Sequence, residues 1–205
     1  MRDSQSGTAR DALLLGAAKV FADKGFFGTR ITDITKQAGV SAGSFYTYFE
    51  SKEAILGAVM DSFRSGDPST ATIAPATSAD AAEQWLRDAL TTAVEKFADN
   101  ARMWRAVQQA ALGTDEIRVR VRDQQDEVVA SVAVGLAPLI ECGLARPGTP
   151  AEFVARALVA MTEESLFQWY LLQEEPVARD VAVDRLVWAW LRLLRLQPAG
   201  EAARA

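Results

Sequence analysis

Residues 39–52 read GVSAGSFYTYFESK, a dense run of small, hydroxyl and aromatic residues that decides how the first quarter of the chain folds. Gly39 supplies the positive φ of a tight turn. Ser41 is placed to cap a helix of about two turns, and Ser51 to cap another, with Glu53 near its positive end. Upstream, Ile31 to Ala38 forms a short helix with Ile31, Ile34 and Ala38 inward. Before it, Thr8 and Asp11 have the spacing of a capping box. Leu13, Ala17 and Phe21, with Leu14 and Ala18 alongside, make the apolar stripe of a first helix running to about Lys24. Gly25 is the expected left-handed cap of that helix.

Beyond residue 53 nearly every segment has helical periodicity. Ile55, Leu56, Val59 and Phe63 line the fourth helix, which stops at the loop SGDPSTATIAPATSAD. From Asp80, Trp85, Leu86, Leu90, Val94 and Phe97 share one face; after Asn100, Met103, Trp104, Val107 and Ala111 share another. Residues 115–144 read as one long helix, kinked at Pro138 and ended by Gly143. Ile117, Val119 and Val121 alternate there as in a strand. Thr149-Pro150 opens a helix to about Leu172. A last helix, about Val177 to Leu196, carries Val181, Leu186, Val187, Trp190, Leu193 and Leu194; the tail QPAGEAARA is expected to fray.

Composition narrows the function. The 205 residues carry a formal net charge of −5, which argues against a uniformly basic nucleic-acid coat. The charge is uneven: residues 1–53 hold seven Lys/Arg and six Asp/Glu, leaving fifteen basic and twenty-one acidic residues in the rest. With no histidine and the single cysteine Cys142, a Cys/His metal site, a histidine-based triad and an intrachain disulfide are excluded. Cys142 reads as a small packing residue, with Arg146 the one nearby base able to activate its thiol. No signal peptide or membrane span is visible, so the expected location is the cytoplasm. Arginine outnumbers lysine seventeen to five, in keeping with a GC-rich bacterial genome.

Helix, tight turn and helix is the geometry of the helix-turn-helix, whose second helix enters the DNA major groove. The groove is about 12 Å wide, and a helix led by Ala42, Gly43 and Ser44 can bring its backbone close to the bases. Ser41, Ser44, Tyr46, Thr47 and Tyr48 surround that lead with hydroxyls able to donate to phosphate oxygens. Thr29 adds a second phosphate clamp at the start of the preceding helix, and Lys52 one electrostatic contact. Taken singly, Tyr46 and Tyr48 also read as half-buried amphipathic residues, Lys52 as a solvated charge, and Arg30 as either a DNA contact or a surface residue. Arg2 and Arg10 read as solvated, with a minor-groove arm as the alternative.

The run AAKVFADKGFFGTRITDITKQAGVSAGSFYTYFESKEAIL resembles the DNA-binding domain of the tetracycline-repressor (TetR) family. Phe21, Gly25, Thr29, Asp33-Ile34, Ala38-Gly39-Val40-Ser41, Gly43, Tyr46, Phe49 and Ser51-Lys52 carry the likeness. The resemblance implies an all-α chain: an N-terminal three-helix DNA-binding domain, residues 1–54, joined to a larger helical ligand-binding and dimerisation domain, residues 55–205. It implies a homodimer that represses or, less often, activates transcription, its remaining helices binding a small-molecule inducer that releases it. Twofold symmetry then predicts a palindromic double-stranded DNA operator, and no cofactor, metal or membrane is expected. Residue by residue it places phosphate contacts on Thr29, Ser41, Ser44, Tyr46, Tyr48 and Lys52, and base-proximal positions on Arg30, Ala42, Gly43 and Thr47. Ala42 stands where lysine is frequent, Tyr48 where histidine is, and Arg30 where a small hydroxyl residue is.

The inducer pocket is expected among Trp85, Met103, Trp104, Val107, Met161, Glu164, Phe167 and Gln168, since such pockets need apolar walls and a few polar groups. Glu163 and Glu164 beside aromatics suit a cationic ligand; their other reading is solvent, or pairing with Arg156 or Arg185. Two rival functions remain at this level. One is a helical carrier or sequestering protein without specific DNA binding, which the acidic balance suits. The other is an enzyme using Glu163 and Glu164, although neighbouring residues on a helix point in two directions and offer no paired carboxylates.

Overall fold

A computed structural model describes residues 3–64, 79–141 and 150–194. The loop after the fourth helix from residue 65 to residue 78, Cys142, Gly143, Arg146, Thr149, Arg2 and the C-terminal tail lie outside the described residues. Among the described residues all regular structure is helical, without a strand: α1 (Asp3–Gly28), α2 (Ile31–Ala38), α3 (Ala42–Tyr48), α4 (Lys52–Arg64), α5 (Ala79–Asp99), α6 (Ala101–Gly113), α7 (Asp115–Glu141), α8 (Ala151–Phe167), a π-helical turn (Gln168–Leu172) and α9 (Arg179–Leu194). These helices fall into two compact units, Met1–Asp67 with Asn100–Asp123, and Pro68–Asp99 with Gln124–Ala205.

In the first unit α1 is the central element and packs on α2, α3, α4 and α6. Leu13, Ala17, Phe21 and Phe26 meet Ile34, Phe45, Ile55, Leu56 and Val59, and α6 adds Met103, Ala106, Val107 and Ala110 to the same core. Helix α1 begins at Asp3, ahead of Thr8, so the capping box does not start it. Gly25 does break it, with φ 70° and ψ 173°, and the chain makes one further helical turn to Gly28. The sign of φ is as expected; the ψ is extended, where a left-handed cap would have a small positive value. At Gly39 both angles are left-handed, φ 69° and ψ 28°, and its N–H reaches the Lys36 and Thr35 carbonyls. Phe63, expected on the inner face of α4, is exposed.

The alternation in residues 117–121 belongs to a helix: within α7, Ile117 is fully buried and Val119 is exposed, and Pro138 lies inside the same helix.

In the second unit α5 packs on α8 and α9, and α8 on α9. Leu86, Leu90 and Val94 of α5, Leu158, Val159 and Leu166 of α8, and Leu186, Val187 and Trp190 of α9 form its core, joined by Leu136 and Leu139 of α7. Trp190 Nε1 donates to Thr162 Oγ1 at 3.0 Å inside this core, so the one polar atom of the indole is satisfied where it is buried. Pro150 stands at the N-cap of α8, one residue before the first helical position expected for it. The expected single helix to Leu172 widens at Gln168 into the π-helical turn. In α9, Val181 and Leu193 point outward and are exposed.

Candidate nucleic-acid interface

The α2–α3 pair is fixed by local chemistry. Ser41 caps α3: its Oγ accepts from Ser44 N at 3.1 Å, and the two serine hydroxyls are 2.9 Å apart. Phe45 turns inward and is fully buried, stacked obliquely near Phe49. That single anchor leaves Ala42, Gly43, Tyr46 and Thr47 on the exposed face, with Ser44 and Tyr48 half-buried at its edges. Thr47 Oγ1 donates back to the Gly43 carbonyl at 3.2 Å, and Tyr46 lies edge-on to Phe45 with its side chain 61% exposed. Nothing within 4 Å crowds the place of a Cβ on Gly43 except Ser41 Oγ at 3.7 Å. The lead of α3 is therefore a smooth backbone ridge flanked by hydroxyls.

Arg30 precedes α2 and is exposed; its N–H donates to Asp33 Oδ2 at 3.0 Å. Lys24 pairs with Asp33 at 2.8 Å. The Lys24 hydrogen bond first, and the Arg30 N–H second, hold the Asp33 carboxyl below the usual aspartate range. Arg10 lies over the Phe49 ring at 5.7 Å.

Thr29 and Lys52 occupy the same region but spend their donors inside the protein. Thr29 is 2% exposed, and its hydroxyl donates to the Gly25 carbonyl at 2.7 Å. Lys52 Nζ donates to the Phe26 carbonyl at 2.9 Å and the Thr29 carbonyl at 3.1 Å, and sits 4.2 Å from the centroid of the Phe26 ring. A residue absent from the sequence reading joins them: Gln109 of α6, whose Oε1 accepts from Phe26 N at 3.2 Å. Its partner lies 83 residues away, and no local pattern marks it.

The eight residues expected to line an inducer pocket separate into two groups. Met103 and Val107 are buried in the core of the first unit with Trp104 packed against them. Trp85 and Met161 pack against the core of the second unit, where Phe167 and Gln168 meet at the junction of α8 with the π-helical turn. Glu164 is exposed and accepts from the Gln168 amide at 2.7 Å. Neither glutamate takes the arginine partners considered for it: Arg156 pairs with Asp126 and Glu152, and Arg185 lies over the Trp169 ring at 5.8 Å. Desolvation by neighbouring protein pushes the Glu163 carboxyl up, while the Gln125 amide that donates to it pulls it down. Glu163 still reaches solvent, which limits that desolvation. Tyr170, next to Phe97 at 6.3 Å between centroids, has a buried hydroxyl without a hydrogen-bond partner among the described residues. Burial pushes that phenol above its ordinary range, against the pull of Arg179.

Two open grooves lie in the second unit. One of about 480 Å³ runs between α7 and α8 past Asp126, Val129, Glu152 and Arg156. The other, about 540 Å³, is bounded by Met161, Ser165 and Trp169 on one side and Arg185 and Trp188 of α9 on the other.

Residues 13–59 match the family model for bacterial regulatory proteins of the tetR family, and residues 85–194 match that for the C-terminal domain of the transcriptional regulator EthR. The chain belongs to the TetR family. EthR of Mycobacterium tuberculosis is 28% identical over 188 residues, 91% of this chain and 87% of that protein. The transcriptional repressor KstR2 of Mycolicibacterium smegmatis is 43% identical over 60 residues, 29% of each chain. Among solved structures, NalD, the secondary repressor of the MexAB-OprM multidrug efflux pump in Pseudomonas aeruginosa, superposes with a TM-score of 0.70 at 22% identity, covering 96% of this chain and 100% of its own. A TetR-like transcriptional regulator from Rhodococcus sp. RHA1 gives 0.69 at 20% identity, covering 92% and 97%. This TetR-family chain is thus a helix-turn-helix, DNA-binding transcriptional regulator and not an enzyme, and the carrier reading is not favoured. No helix among the described residues is long and apolar enough to cross a membrane.

Proposed function

We propose that the protein is a homodimeric repressor that binds a palindromic operator through α3 and is released by a small-molecule inducer held in its second unit. The observation that carries this reading is the face of α3: one aromatic, Phe45, is sunk in the core while Ala42, Gly43, Tyr46 and Thr47 stand exposed. In the groove, Ala42, Gly43 and Thr47, with Arg30 from the threshold of α2, would face base edges. Ser41, Ser44, Tyr46 and Tyr48 would reach phosphates on either side. Between Ser41 and Tyr48 there is no Arg, Lys, Asn or Gln, so no bidentate base reader. Discrimination then rests on close backbone approach, hydroxyl and methyl contacts, DNA shape and Arg30. The DNA-binding residues 1–54 act with the rest of their compact unit.

Dimerisation is assigned to α8 and α9, where Phe153, Trp188 and Leu193 leave apolar surface exposed; two copies related by a twofold axis would bury it as a four-helix bundle. The inducer is assigned to the aromatic region of the second unit, around Trp85, Met161, Glu164, Phe167 and Gln168. The unpartnered Tyr170 hydroxyl offers a ligand one ready hydrogen bond. Footprinting on the DNA flanking the protein's own gene tests the reading. A protected twofold-symmetric site is expected; absence of any protected site under low salt would refute it.

A further inference from the structure

The break in α1 at Gly25 leaves main-chain groups that the helix no longer pairs, and buried groups of this kind need partners. Three side chains supply them, one from within the turn, Thr29, and two from elsewhere, Gln109 and Lys52. The Gly25 carbonyl accepts from Thr29 Oγ1 at 2.7 Å. The Phe26 N–H donates to Gln109 Oε1 at 3.2 Å. The Phe26 and Thr29 carbonyls both accept from Lys52 Nζ, at 2.9 and 3.1 Å. The turn from Gly25 to Thr29 is thereby closed on itself by Thr29 and held from outside by α4 and α6.

The arrangement is specific to the residues present. Gln109 reaches the turn because Gly25 lacks a side chain: a Cβ there would sit 2.5 Å from Gln109 Oε1. Farther along α6, Gly113 plays the same part for Phe27, whose ring would meet an added Cβ at 2.8 Å. Two of the three ammonium protons of Lys52 are committed to carbonyls, and the Phe26 ring lies beneath the charge. An ammonium so engaged makes a poor free donor to an outside anion. What it does hold is the chain segment leading directly into α2, and α2 carries α3 through the three-residue turn Gly39, Val40 and Ser41.

We propose that Gln109 and Lys52 are positioning residues for DNA recognition: from α6 and α4 they grip the Gly25–Thr29 turn, and through it set where the α2–α3 pair stands. The proposal rests on the reading of α3 as the DNA-facing helix. It departs from the simpler idea that Lys52 is a phosphate contact, because a positioning residue changes affinity without changing the number of phosphates neutralised.

The experiment uses the full chain, a random-sequence DNA duplex titrated across a range of salt concentrations, and amide hydrogen exchange of the free protein. Gln109→Leu removes the acceptor, and Lys52→Met keeps the stem without the charge. Each is expected to weaken DNA binding about tenfold, to leave the slope of log K against log salt changed by well under one unit, and to speed exchange from Phe26 into α2. Gln109→Glu retains an acceptor and is expected to restore protection at Phe26. Should Lys52→Met destabilise the whole unit, the half-exposed Gln109 pair decides alone. A fall of about one unit in the salt slope for Lys52→Met, with exchange unaltered, would overturn the assignment and make Lys52 a phosphate ligand. Unchanged exchange and affinity in Gln109→Leu would overturn it for Gln109. If the wild-type chain binds no DNA at any salt while both variants loosen the turn, it is the DNA-binding reading that has failed.

Discussion

Gly25→Ala is the substitution whose cost can be worked out most directly. At φ 70° and ψ 173° the backbone lies in a region open essentially to glycine alone, which costs a residue with a side chain about 1–3 kcal/mol. The new methyl would also stand 2.5 Å from Gln109 Oε1. Gln109 must swing away, and the Phe26 N–H then loses its acceptor at about 1–3 kcal/mol. The two effects together give roughly 2–6 kcal/mol, a large share of the 5–15 kcal/mol typical of a folded domain. Gly28→Ala is the control: φ there is not positive, and the nearest atom to an added Cβ is Lys24 Cβ at an ordinary 3.6 Å. Urea denaturation followed by circular dichroism measures both. Because the clash and the lost hydrogen bond share one partner, a Gln109→Ala background should reduce the Gly25→Ala penalty by about 1 kcal/mol or more. A Gly25→Ala cost no greater than that of Gly28→Ala, or full additivity with Gln109→Ala, would refute the reasoning.

Other outcomes follow from the same geometry. Arg30→Ala should lower the salt slope of operator binding by about one unit and relax sequence preference at one position of each half-site, read by competition binding. Thr162→Val strips the buried acceptor from Trp190 Nε1 and should cost about 1–3 kcal/mol in urea melts, with a change in tryptophan emission. Trp188→Glu places a charge on the apolar face of α9 and should shift the chain toward monomer in sedimentation, leaving the helical content intact. Asp33 titrates below the free-aspartate value, so its ion pair stabilises the folded state above that value and is lost as pH falls through the lower folded one. An NMR titration should find the Asp33 midpoint beneath 3.8, and Lys24→Met should raise it.

What the sequence made legible was whatever local chemistry decides. Gly39, Ser41 and Ser51 act on backbone within four residues of themselves, so their roles and the bounds of α2 are readable from the chain alone. Thr29 and Lys52 were visible as notable residues, but their partners were not. Lys52 reaches 23 and 26 residues back, and only the packing of α1 shows that its donors turn inward. Gln109 carries no local signal at all. The break at Gly25 was legible in kind but not in angle, because a positive φ favours glycine whether ψ is small or extended. Apolar pocket walls failed for a different reason. Met103 and Val107 have the same chemistry whether they face a ligand or Phe21 and Phe26, and periodicity reports the inward face without saying what occupies it. The widening after Phe167 was likewise invisible, since QWYLL has the composition of an ordinary helical turn.

The membership of α6 in the first core bears on how such regulators can be recombined. Met103, Ala106, Val107 and Ala110 fill space against the residues beneath the helix-turn-helix, although some fifty residues of intervening chain separate them. A chimera spliced after residue 54 would pair a foreign α1 with this α6, leaving mismatched apolar surfaces where Phe21, Phe26 and Gln109 now fit. A graft that carries residues 100–123 along with the N-terminal segment transplants the whole packed body. The exchangeable module of this protein is discontinuous in sequence, and its seams lie after α4, between α5 and α6, and within α7.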